Sequence, residues 1–169
     1  MVTLKKVLVA TDFGEASAAA LRYGRAFAST FGAALQVLHV TENLALMPLA
    51  SLEGNVGLGP GVQEDIERAA RRQTEALLTH TDRRWLRAEA VTITSDRAAD
   101  AIVEFARANK VDLIVIGTHG RRALARLVMG SVAERVIRTA PCPVLTVHSL
   151  QHEFVAVELP VTAVAEVGL

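Results

Sequence analysis

VDLIVIGTHGRRALARLVMGS, residues 111 to 131, runs from an apolar segment into a glycine-bearing loop and on into a new helical pattern. Residues 111–117 form the most apolar strand pattern in the chain, as expected at the centre of a parallel sheet covered on both faces. Gly117, Gly120 and Gly130 follow, with Ser131 directly after the last. Glycine costs entropy on ordering and weakens helices, so each of these needs a local reason. One reading is a phosphate cradle. Gly117 lets the backbone pass close to a bound group, Gly120 turns the loop with a positive φ, and Gly130–Ser131 open a helix whose free N–H groups attract an anion. Arg121, Arg122 and Arg126 lie between the glycines, where they can screen phosphate charge. The other reading is a capping box in SVAE, residues 131–134, with Ser131 capping and Glu134 reaching back. Residue types alone leave both standing.

Working outward, strand-like and helical runs alternate. Residues 5–10 and 34–40 read as buried strands, and 86–93 as a strand with period-2 alternation. Residues 143–147 supply a fifth. The helical spacing over 15–31 places Ala20, Leu21, Gly24, Phe27, Ala28 and Phe31 on one face, with Gly32 as the stop. A charged amphipathic helix is expected over 62–82, with Ile66, Ala69, Ala70, Gln73, Ala76 and Leu77 inward. A further helix carries Ala98, Ala101, Ile102, Phe105 and Ala106, capped by Ser95 or Asp96, and another runs from Gly130 to Pro141. Residues 41–61, with NVGLGPG, read as a loop. Five strands separated by helices imply an α/β fold, a doubly wound parallel sheet with helices on both faces.

Composition narrows the function classes. The chain has 169 residues, suited to one domain, with 18 basic and 18 acidic side chains. Zero net charge gives no general pull towards nucleic acid or an anionic membrane. Aromatics are only 4 %, so Ala, Val, Leu and Ile must build the core. No stretch approaches the ~20 apolar residues of a membrane-spanning helix, and Asp12 cuts the first apolar run too short for a signal peptide. The single cysteine, Cys142, fits a reducing compartment and reads as a small packed residue, so the expected location is cytoplasmic. There is no GxxxxGK[ST] and no GxGxxG after the first strand, which excludes the two commonest phosphate loops. Asp12, at a strand end, fits either a ligand contact or a helix-entry cap. His39 reads as a packed histidine, and His119 equally as a phosphate contact or a solvent residue. His80, His148 and His152 share no metal-ligand spacing. No catalytic base is identifiable.

The G-x2-G-x9-G-[ST] spacing from Gly117 to Ser131 resembles the universal stress protein family, in its ATP-binding branch. KKVLVATDFGEAS, LHV, VDLIVIGTHGR and APCPVLTV extend that resemblance over residues 3 to 148, in order and correctly spaced. It implies a domain over 1–148 followed by an extension, 149–169, and a sheet of order 3-2-1-4-5. Carried over by position, it implies Thr11 and Asp12 at the nucleoside end and the Val40 backbone on the adenine edge. Gly117 would lie near the ribose, with Gly120, Gly130, Ser131 and Val132 around the phosphates. ATP is the implied ligand, with Mg²⁺ or Mn²⁺ held through the phosphates. A homodimer through the fifth strand, Val144–Val147, and an unidentified protein partner are also implied. The alternatives are a slow ATPase and a nucleotide-free dimeric scaffold. One departure is Gly14, where the family often has serine; a looser loop is expected there.

Overall fold

The computed structural model describes residues 1–43, 61–118 and 130–148. Among these, β1 (Lys6–Thr11), α1 (Glu15–Phe31), β2 (Ala34–Thr41), α2 (Val62–Ala76) and α3 (His80–Trp85) make the first half. Then come β3 (Glu89–Thr94), α4 (Ala98–Ala108), β4 (Leu113–Gly117), α5 (Ser131–Thr139) and β5 (Val144–Val147). All strand pairs are parallel, and the order is β3-β2-β1-β4-β5, as the family resemblance implied.

The central strands are apolar because both their faces are covered. On one face Val7, Val9, Leu35, Val37 and Val115 pack against Ala19, Ala20 and Tyr23 of α1. On the other, Leu8, Leu38, Ile114 and Ile116 meet Ile102 and Ala106 of α4 and Val136 of α5. With few aromatics, the layers close up through small residues. At Gly24 a Cβ would overlap the Val9 side chain, so α1 lies on the sheet only because that position is bare. The start of the β1–β4 ladder is fixed by Asp112, whose Oδ2 accepts the Lys5 and Lys6 backbone N–H groups at 2.7 and 2.9 Å. Cys142 packs half-buried against the second face, and burial pushes its thiol pKa up.

Three local expectations are corrected. The helix expected over 62–82 is two helices, and its inward face is different. Ala70 and Thr74 are buried, whereas Ile66 is 37 % exposed and Ala69 faces solvent. The reason is that α2 meets the sheet edge through polar contacts, which apolar periodicity cannot reveal. Glu67 Oε1 accepts from Thr94 Oγ1 (2.7 Å) and Thr74 Oγ1 from Thr92 Oγ1 (3.4 Å), while within α2 Gln63 Nε2 donates to Glu67 Oε1 (2.9 Å) and Thr74 Oγ1 to the Ala70 carbonyl (2.8 Å). The Gln63 and Thr94 bonds hold the Glu67 carboxyl below its usual range. The strand expected from residue 86 begins at Glu89, because Leu86 ends α3 and Arg87 has φ +47°. Finally, α4 is entered at Arg97 with no side-chain cap, and Ser95 Oγ instead accepts the Arg97 N–H (3.1 Å) in the turn before it.

The break between α2 and α3 is held by one buried ion pair. Thr79 and Asp82 form a capping box that starts α3, with the Thr79 N–H on Asp82 Oδ2 (2.8 Å) and the Asp82 N–H on Thr79 Oγ1 (3.0 Å). Arg25, from α1, donates through Nε to Oδ1 (3.0 Å) and through Nη2 to Oδ2 (2.8 Å), and also reaches the Leu77 carbonyl (2.7 Å). The Asp82 side chain is 1 % exposed. Burial pushes its carboxyl up, but Arg25 and Thr79 outweigh that and hold it below the ordinary carboxylate pKa. A depressed folded-state pKa contributes stability above the unfolded value of about 3.9, lost as pH falls through the folded value. Thermal melting followed by circular dichroism is therefore expected to show the wild type losing stability below about pH 4, with Asp82→Asn less stable at pH 7 and flatter in the acid limb. Arg25→Ala, which strands the buried carboxylate, should cost about 3–5 kcal/mol at pH 7.

Candidate functional site

The chain turns to opposite sides of the sheet after β1 and after β4, and the carboxyl ends of these neighbouring strands leave a crevice between them. A cavity of about 360 Å³ lies there. Thr11, Asp12, Val40, Gly117, Gly130, Ser131 and Val132 all line it, and Gly120 and His119 lie outside the described residues. Leu38, Ile102 and Ile116 give it an apolar wall, and Ser17, His39 and Thr118 line it as well.

The β1 side is a tight turn. The Phe13 N–H donates to Thr11 Oγ1 (3.0 Å), the Gly14 N–H donates to Asp12 Oδ1 (3.0 Å), and Phe13 stands at φ +63°. Ser17, buried, donates from Oγ to the Gly14 carbonyl (2.9 Å) and accepts from Thr11 Oγ1 (3.2 Å). The loop expected to loosen at Gly14 is thus tied at that residue, and Asp12 both lines the cavity and organises the entry to α1.

The β4 side shows why Gly117 is glycine. A Cβ there would come within 2.8 Å of the Ala16 carbonyl carbon and 2.9 Å of the Ser17 nitrogen. The close approach is to the first turn of α1, a packing constraint that composition could not separate from approach to a ligand. Thr118, 1 % exposed, then sets the spacing of the helix beyond. Its N–H donates to the Val147 carbonyl (2.9 Å), its carbonyl accepts the Gly130 N–H (2.7 Å), and its hydroxyl bonds His148 Nδ1 (2.8 Å). Thr118 and Ser17 were not singled out from sequence. Their one signal was position, beside Gly117 and within the first-strand motif.

The capping-box reading of SVAE is not what forms. Gly130 is the N-cap of α5, Ser131 is the first helical residue, and no side chain caps the helix. Glu134 instead pairs with Arg138 (2.8 Å). The N–H groups of the first turn have no partner within the helix, and they open beside Gly130, Ser131 and Val132 at the cavity wall. Beside this rim Arg135 and Arg97 both converge on Asp100, at 2.7 and 3.1 Å, tying α5 to the start of α4 and lowering the Asp100 pKa. An uncapped helix start beside an apolar wall has the chemistry to take an anion next to a hydrophobic group.

The universal stress protein family model matches residues 3–148. The chain belongs to the universal stress protein family. A universal stress protein of Thermus aquaticus is 34 % identical over 144 residues, covering 85 % of this chain and 98 % of the relative. Universal stress protein MJ0577 of Methanocaldococcus jannaschii is 30 % identical over 155 residues, covering 86 % of this chain and 96 % of that one. The solved structure of MJ0577 superposes with a TM-score of 0.69 over 90 % of this chain and 99 % of its own. The universal stress protein of Archaeoglobus fulgidus, solved in complex with dAMP, shares the fold at 21 % identity and a TM-score of 0.52, over 87 % of this chain and 99 % of its own. Among the described residues of this universal stress protein, no helix is long and apolar enough to cross a membrane.

The packing reason for Gly117 is testable without ligand. Gly117→Ala should lower the urea midpoint of the free protein, because overpacking removes about 1–3 kcal/mol of stability. An unchanged midpoint would return Gly117 to a purely ligand-facing role.

Proposed function

We propose that this universal stress protein binds ATP in the cleft and acts as a nucleotide-dependent regulator or sensor in the cytoplasmic stress response. The observation that carries this reading is the α5 start, with glycine at the N-cap and no capping side chain, set against an apolar slot. Each backbone N–H given to a charged oxygen contributes roughly 1.5–3 kcal/mol, and the helix terminus about 0.3–1. Three or four such contacts reach the ~8 kcal/mol of micromolar binding before ordering costs.

The parts divide by chemistry. The α5 start and Gly130 suit phosphate oxygens, the apolar wall of Leu38, Ile102 and Ile116 suits a planar base, and on this reading the backbone of Val40, which lines the cavity, takes the adenine edge. Among the described residues no three His, Cys, Asp or Glu side chains converge as a metal site. On this reading Mg²⁺ or Mn²⁺ is held through the phosphates, neutralising their charge beside Asp12. The dAMP complex of the Archaeoglobus fulgidus protein is consistent with an adenine ligand in this fold. The proposal includes a homodimer through β5, whose ladder among the described residues joins β4 alone, since pairing protects an apolar edge. It takes residues 1–148 as the nucleotide-binding domain and 149–169 as an extension outside it.

Gly130→Asp tests the site by filling it from within. Gly130 has φ −62° and ψ 143°, which aspartate adopts without strain, so its carboxylate would cap α5 and occupy the anion position. Calorimetric titration with ATP and Mg²⁺ should give micromolar binding to the wild type and none to the variant. The variant should melt no lower than the wild type, since capping adds a few tenths of a kcal/mol. Equal binding by both proteins, or silence from the wild type, would defeat the reading.

A further inference from the structure

His39 was read from sequence as a packed histidine, yet its place in the sheet gives it more to do. It stands opposite Thr11 in the β1–β2 ladder and lines the cleft. Its Nδ1 lies 2.8 Å from the Thr11 carbonyl oxygen, and its ring lies 4.3 Å from the Phe13 ring, tilted by 37°. One side chain therefore touches the residue before Asp12 and the residue after it.

We propose that His39 is the positioning residue of Asp12, holding that carboxylate in the cleft by gripping both its neighbours. The proposal rests on the nucleotide reading of the site. The Thr11 carbonyl shares a rigid peptide plane with the Asp12 nitrogen, so anchoring the carbonyl fixes the direction in which the chain enters Asp12. Phe13 stands at φ +63°, a conformation that bulky residues adopt only when their surroundings hold them there. The His39 ring lies against the side chain that this conformation delivers. The bonds from Phe13 to Thr11, from Gly14 to Asp12 and from Ser17 to Gly14 all lie within residues 11–17 and bind the turn to itself. His39 adds a hold from β2, across the sheet, and so sets the turn against the cleft wall. Since its Nδ1 faces a carbonyl, the ring is the Nδ1–H tautomer or the cation, a donor either way.

Two measurements test this. Calorimetry with ATP and Mg²⁺ compares the wild type with His39→Ala, His39→Asn, Asp12→Ala and the Asp12→Ala/His39→Ala double variant. His39→Ala should weaken binding about tenfold, the scale of one hydrogen bond. His39→Asn, whose amide nitrogen takes the place of Nδ1, should recover to within about threefold of the wild type. The double variant should bind no more weakly than Asp12→Ala alone, because His39 acts through Asp12. Losses that simply add, or no rescue by asparagine, would overturn the proposal. The second measurement needs no ligand. The Phe13 and Gly14 amides should exchange with deuterium faster in His39→Ala while the core amides of β1 and β4 keep their protection. Unchanged exchange at both would overturn the proposal as well. A wild type that ignores ATP defeats the nucleotide reading instead, and the positioning role is then decided by the exchange result.

Discussion

The ladder between β1 and β4 is the constraint on which the rest depends. Val7 to Ala10 pair with Leu113 to Ile116, two strands far apart in sequence, and the chain departs to opposite faces after each. Its start is locked by Asp112 on the Lys5 and Lys6 amides, and its end by Gly117 against Ala16 and Ser17. With both ends fixed, Asp12 and the start of α5 arrive at one crevice. A slip by one residue would turn every core side chain to the wrong face, so the buried pattern protects the geometry of the cleft.

That same burial is why so much of the fold was legible. Strands covered on both faces must be continuously apolar, and KVLVAT, ALQVLHVT and LIVIG declare themselves whatever surrounds them. Legibility fails where polar groups do the packing. The inward face of α2 is Glu67, Ala70 and Thr74 over Thr92 and Thr94, and no hydrophobic periodicity marks it. The Arg25–Asp82 pair is equally silent, because its partners lie in helices 57 residues apart and each looks like a solvated charge. Only the fold shows that the pair ends one helix and anchors the next.

At the site, the motif glycines were visible but their reasons were not. Gly117 is bare because two backbone segments touch there, and a ligand need not enter that argument at all. Gly130 is bare for a different reason. Its φ and ψ suit any residue, nothing about its turn demands glycine, and serine or aspartate would cap α5 more firmly. Sequence spacing presents the two as equals, whereas coordinates separate a packing glycine from a vacant cap.

That separation bears on how the cleft is maintained. Two unusual features adjoin it: a helix left without a side-chain cap at Gly130, which lines it, and a phenylalanine in the left-handed region at Phe13, next to the cavity-lining Asp12. The phenylalanine is strained and would not persist in a loosely packed region, where a more relaxed turn could form. Both are rooted in the β1 and β4 strands, which are buried along all but one residue each. Thr118 links these strands to α5 through the Gly130 N–H, and Thr11 links them to Phe13 through its hydroxyl. The apolar core therefore does more than stabilise the fold: it keeps donors and a carboxylate poised around a cavity that a more relaxed chain would close.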